Sequence, residues 1–146
     1  MNRKPYHSVA VLMGGSSSER DISMLSGQAV AGALREAGYD VHPVVVDAHD
    51  AFALPPGTEA VFIALHGAFG EDGRLQGYLD MLKRPYTGAG LLGMAAGMDK
   101  WVAKLVWASS GIPQVPYVGL TEEAWAREAD VLREKVLARY GAEEQA

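Results

Sequence analysis

The chain contains no cysteine, which excludes disulfides, zinc–thiolate sites and cysteine nucleophiles. It also lacks an apolar run long enough for a membrane. Val9–Met13, which follows the basic start Met1-Asn2-Arg3-Lys4, is far shorter than the roughly 20 residues of a membrane span or a signal-peptide core. The sequence therefore predicts a soluble, cytoplasmic protein. Positive charge is in deficit, with 13 Lys and Arg against 18 Asp and Glu for a net charge of −5. No basic field is available to attract nucleic acid, so the expected partners are small molecules or protein. Two common phosphate-binding patterns, G-x-G-x-x-G and G-x-x-x-x-G-K-[ST], are absent as well. What remains is a chain of 146 residues, 49% hydrophobic and 21% charged, with the composition of a compact globular domain. A domain of this size buries roughly 68–70% of the surface its unfolded chain exposes and needs no metal or disulfide staple.

The apolar run Ser8–Met13 ends at Gly14-Gly15 and leads into helical spacing at Ile22, Leu25, Ala29, Val30, Ala33, Leu34 and Ala37. Gly38 supplies a left-handed stop, and the stretch from Ser16 to Glu19 supplies capping oxygens. Val41–Val46 and Ala60–Leu65 are two further β-branched runs, separated by the breaker Leu54-Pro55-Pro56-Gly57. Nearly continuous apolar strands between helical segments predict an α/β fold: an open, mostly parallel sheet flanked by helices, Rossmann-like. Leu75, Leu79 and Leu82 mark the next helix, and Pro85–Thr87 reads as a fourth strand. Helices are predicted over Leu91–Met98 and Lys100–Ser110, the latter closed by Gly111-Ile112-Pro113. We place a domain boundary there, so that residues 1–113 form one α/β domain. Residues 114–146 hold a strand-like run, Val115–Val118, and a helix with an apolar stripe at Trp125, Ala129, Leu132 and Val136. That stretch is too short for a core of its own. Trp101, Trp107 and Trp125 read as packing residues, and Met81, Met94 and Met98 as core filler.

The turn from Gly14 to Arg20 joins the end of the first strand to a helix start, where open α/β sheets bind ligands and free N–H groups favour anions. Glu19 there reads either as a capping carboxylate or as an anchor for an ammonium group. His66 follows the third strand and would emerge at the same sheet edge. It is either a structural loop histidine or a group that binds a carboxylate or steers a proton. Gly67, Gly70 and Gly73 suggest a backbone shaped for close approach. Glu71 and Asp72 read as turn and cap residues in preference to a metal pair, because adjacent carboxylates point apart. Lys100 opens a helix, where its charge opposes the dipole; it is either simply solvated or placed to meet a phosphate, with Asp99 as the cap.

Together these segments resemble the ATP-dependent D-alanine–D-alanine ligases of bacterial cell-wall (peptidoglycan) synthesis, in the ATP-grasp superfamily. Val9–Ser23 is similar to the family's glycine-serine-glutamate block. His66-Gly67-Ala68-Phe69-Gly70-Glu71-Asp72-Gly73-Arg74-Leu75-Gln76-Gly77 matches H-G-x-x-G-E-D-G-x-L-Q-G at every fixed place. Pro85-Tyr86-Thr87-Gly88, Met98-Asp99-Lys100 and Gly111-Ile112-Pro113 follow in family order. The resemblance implies a ligase that uses ATP and Mg2+ to phosphorylate one D-alanine, whose acyl phosphate a second D-alanine then attacks. It implies that Glu19 holds the ammonium of the first D-alanine as the catalytic-site carboxylate. Ile22 would lie beside the methyl group, His66 and Ser17 would line the same subsite, and Lys100 would face the ATP phosphates. A homodimer is also implied. Family members run well beyond Ala146, and their further part carries the ATP-grasp lysine, the oxyanion arginine and the magnesium ligands. No metal ligand is therefore assigned here, and this chain alone is expected not to ligate. Two rival readings are a non-catalytic binding or dimerisation module and a ligase preferring D-lactate or D-serine as second substrate. An ordinary flavodoxin-like domain would explain the sheet but not the second block.

Overall fold

The computed structural model describes residues 5–47 and 52–140. Three parallel strands form one sheet in the order β2-β1-β3: β1 (Ser8–Gly14) at the centre, β2 (Asp40–Val46) and β3 (Ala60–Ile63) beside it. Every residue of β1 is buried, because neighbours cover both its edges and helices both its faces. Ala10 and Leu12 point into one core with Val46, Val61, Leu65, Phe69, Leu75 and Leu79. Val11 and Met13 point into the other with Ala31, Val41 and Ala64. Helix α1 (Arg20–Glu36) lies on the second face, and α2 (Arg74–Met81) supplies Leu75 and Leu79 to the first. The fold is thus α/β, an open three-stranded parallel sheet flanked by helices.

Local chemistry sets the ends of α1. After Glu36 the chain takes a left-handed turn at Gly38 (φ 78°), whose N–H meets Arg35 O at 2.8 Å while that of Tyr39 meets Leu34 O at 3.0 Å. This double closure satisfies the last carbonyls and delivers the chain straight into β2. The buried face of α1 is Ser23, Gly27 and Ala31. The expected stripe is therefore rotated, since Ile22 and Leu25 are exposed at 60% and 65%. The reason is proximity: a Cβ built on Gly27 would stand 2.5 Å from Met13 Cβ, so helix and strand meet through the smallest side chains available.

Four further expectations differ from the structure. Residues 85–87 form a single parallel bridge, Val61 with Tyr86, in place of a fourth strand. β2 alternates between buried and exposed positions, and it contains Pro43, which an edge strand tolerates. Met81 is 82% exposed, and Trp101, Trp107 and Trp125 are about half exposed. Val115–Val118 forms no strand and pairs with none among the described residues. The remaining helices are α3 (Leu91–Met98), α4 (Lys100–Ser109) and α5 (Glu122–Tyr140), the last broken by a non-helical Glu128. The chain divides into two compact units, one up to Ala103 and one from Lys104 onward. In the second, Lys104 lies over the Tyr117 ring, and Ala129, Leu132 and Val136 of α5 are half-buried.

Candidate functional site

Both glycine-containing loops leave the sheet at the same edge, one after Gly14 and the other after Ile63. Their meeting is held by a fully buried hydroxyl. Ser23 Oγ accepts the Gly14 N–H at 2.9 Å and donates to Ala64 O at 2.7 Å, so one side chain of α1 ties the end of β1 to the end of β3. Ser17 Oγ adds a second tie, donating to His66 O at 3.0 Å and accepting the Glu19 N–H at 3.2 Å. Arg20 braces the first loop from outside. Its Nη1 donates to Gly15 O at 2.9 Å and to Val46 O at 3.3 Å, while its Nη2 meets Asp47 at 2.5 Å.

Glu19 occupies the N-cap position of α1, yet its carboxylate makes no capping bond. Of its two readings from sequence, the capping one is set aside. The carboxylate instead lies against the second loop, where a Cβ on Gly67 would stand 2.9 Å from Glu19 Oε2. Gly67 also has φ 68°, so only glycine suits both its conformation and its neighbour. His66 is part-buried, with Ser26 Oγ 3.4 Å from Nε2 and Glu71 Oε1 3.6 Å from Nδ1. Ile22 stands exposed on the first turn of α1, one turn from Glu19. A carboxylate, an imidazole and an apolar side chain thus stand at one end of the sheet, on or beside the two loops, a set chemically suited to a small zwitterion with an apolar substituent.

The second loop is shaped by its own acidic pair. Glu71 Oε2 accepts the Gly67 N–H at 2.8 Å. Asp72 Oδ2 accepts the Phe69 N–H at 2.7 Å and pairs with Arg74, and Oδ1 accepts the Arg74 N–H at 3.1 Å. The Arg74 bond, aided by those two N–H groups, holds the Asp72 carboxyl down to about 2. Phe69 is thereby kept at φ 71°, which is costly for a non-glycine residue, with its ring buried in the core. The two carboxylates engage different groups, Glu71 the Gly67 N–H and Asp72 the Phe69 and Arg74 N–H groups and the Arg74 side chain, and no group of three metal-ligating side chains occurs among the described residues.

Lys100 is exposed at the start of α4, outside the loops that carry Glu19 and His66. Asp99 caps this helix as expected, its Oδ1 accepting the N–H groups of Trp101 and Val102 at 2.9 and 3.0 Å. Sequence reasoning passed over Ser23, Ser26 and Arg20. The only available signal was the small-residue spacing Ser23-Gly27-Ala31, which marks the close face of α1 but not the bonds made by its first member.

Comparison with known proteins follows the same residues. The family described as "D-ala D-ala ligase N-terminus" matches residues 8–60 and, in an overlapping segment, 53–89. A D-alanine–D-alanine ligase of Laribacter hongkongensis (strain HLHK9) is 55% identical over 106 residues, covering 72% of this chain and 34% of the relative. Among solved structures, the D-alanine–D-alanine ligase of Bacillus anthracis complexed with ATP superposes with a TM-score of 0.74 at 30% identity, over 82% of this chain and 40% of that one. The ligase of Coxiella burnetii gives 0.81 at 26% identity, over 93% and 50%. The chain therefore spans about a third of the length of the curated relative it matches.

Proposed function

The chain belongs to the D-alanine–D-alanine ligase family by its N-terminal domain, and from that premise we propose that the end of the sheet that carries the two loops holds the first D-alanine of an ATP-dependent ligation in cytoplasmic cell-wall synthesis. Glu19 takes the substrate ammonium, Ile22 lies beside the methyl group, and His66 holds the substrate from the opposite loop. Ser17 serves by keeping the two loops together. The observation that carries this reading is the Glu19 carboxylate: it is not used as a cap, and it lies against Gly67 beside His66.

Lys100 is the cation offered to the ATP phosphates, at a helix start where its charge has no local advantage. The relative from Bacillus anthracis has been solved with ATP. The described residues do not fit a Mg2+ site, since no three ligating side chains converge. No step through the metal is therefore assigned to this chain. We assign residues up to 113 to the substrate-binding domain and residues 114–146 to the start of a central domain.

Phosphoryl transfer relies on positioned cations and metal, and losing a single stabilising donor costs on the order of 100- to 1000-fold. The chain alone should thus release no phosphate from ATP with D-alanine and Mg2+. A chimera in which it replaces the matching third of the Laribacter hongkongensis ligase should form the dipeptide. Glu19→Gln in the chimera should raise the KM for the first D-alanine at least tenfold, about 1.4 kcal/mol of lost charge interaction. Ligation by the chain alone, or a chimera indifferent to Glu19→Gln, would refute the assignment.

A further inference from the structure

Ser26 projects from α1 toward His66, and the neighbours of its hydroxyl limit what it can do there. A serine hydroxyl has one proton and two lone pairs. Ser26 Oγ lies 2.9 Å from Ile22 O and 3.1 Å from Ser23 O, both acceptors only, and 3.4 Å from His66 Nε2. The proton belongs with the nearer carbonyls, the back-bonding that serines make within helices. A lone pair is then left toward the imidazole. On the other side of the ring, Glu71 Oε1 stands 3.6 Å from Nδ1, beyond hydrogen-bond length, while Glu71 Oε2 is engaged by the Gly67 N–H at 2.8 Å.

We infer that Ser26 is a positioning residue for His66: its hydroxyl accepts a hydrogen bond from Nε2–H, fixing the ring's orientation and its tautomer. Which nitrogen of a histidine carries the proton is set by the bond that the other makes, so a device at one nitrogen governs the other. With Nε2 engaged by α1, Nδ1, on the side of Glu71, is the nitrogen left to respond to a substrate. This functional meaning rests on the reading of His66 as a substrate-binding group. The opposite tautomer would make Ser26 the donor to Nε2 and Glu71 the acceptor from Nδ1–H.

The test is 15N-detected NMR of the histidine rings on this chain, uniformly labelled, in mildly alkaline buffer. The expected result is a protonated Nε2 on His66 with a ring N–H protected from solvent exchange. That signal should persist in Ser26→Thr, which keeps the hydroxyl, and be lost to exchange in Ser26→Ala with the backbone amide spectrum otherwise retained. An unprotonated Nε2 in the wild-type chain would overturn the inference, and so would a protected Nε2–H that survives Ser26→Ala. The wild-type tautomer decides even if Ser26→Ala fails to fold. D-alanine titrated into the same sample reads the substrate assignment separately, since an unresponsive His66 would count against that assignment and leave the tautomer result standing.

Discussion

Ser23 sets the spacing of the two loops, because its hydroxyl is the only group shared by the Gly14 N–H and the Ala64 carbonyl in the bonds described above. Ser23→Ala would leave a buried donor and a buried acceptor unmade, each costing about 1–3 kcal/mol. We expect a fall of at least 1 kcal/mol, read as a lower urea midpoint at unchanged m-value. A midpoint equal to wild type would show that water replaces the hydroxyl without loss. Asp72 acts on the same region through pH. Its folded carboxyl is held down to about 2 by Arg74, against about 3.9 in an unfolded chain. A depressed folded value means that its contribution is complete above pH ~4 and disappears as pH falls toward 2. Asp72→Asn should therefore lose stability at neutral pH and show a shallower decline between pH 4 and 2, followed by chemical denaturation across that range. At this scale the sequence showed that Glu19 and His66 lie on loops at one sheet edge and that Glu71 and Asp72 bond to their own turn, because residue type and loop position carry those readings. Ser23 and Ser26 were not legible. A serine inside a helix looks neutral, and their partners lie 41 and 40 residues away.

Helix α1 shows how packing distance overrides hydrophobic pattern. Ile22 and Leu25 belong to the apolar stripe read from the sequence, yet the helix turns Ser23, Gly27 and Ala31 inward because β1 presents Met13 at close range. Two glycines of this one helix should therefore respond with opposite sign to alanine. At Gly27 the added methyl meets Met13 Cβ, and overpacking of about 1–3 kcal/mol outweighs the roughly 1 kcal/mol of helix propensity gained. At Gly32 nothing lies within 4 Å, so only the gain of about 1 kcal/mol remains. Thermal melts should place Gly27→Ala below wild type and Gly32→Ala above it; the same sign for both would contradict the packing. The strands were legible because β1 is covered on both faces and reads as a continuous apolar run. Residues 85–87 were over-read, since local β-propensity cannot distinguish one bridge from a strand, and Val115–Val118 likewise has the residues of a strand but, among the described residues, no neighbour to pair with.

At the scale of the whole molecule, β1 organises the unit that runs up to Ala103: its two faces carry the two cores, and its carboxyl end carries the first loop. The second loop reaches the same edge because β3 runs parallel beside β1. This juxtaposition follows from topology, which is why it was foreseeable from two loops that each follow a strand. The exposure of Trp101, Trp107 and Trp125 was not foreseeable, since helical spacing marks an apolar face without showing what covers it. Glu19 is the group through which we propose that the two loops bind a D-amino acid. The most direct measurement is a D-alanine titration of this chain followed by amide NMR. Binding of millimolar strength, about −4 kcal/mol, should shift resonances in residues 14–23 and 66–73 together. Glu19→Gln should abolish those shifts while leaving the rest of the spectrum in place. Saturable shifts confined to another part of the sheet, or an unchanged titration in Glu19→Gln, would contradict it.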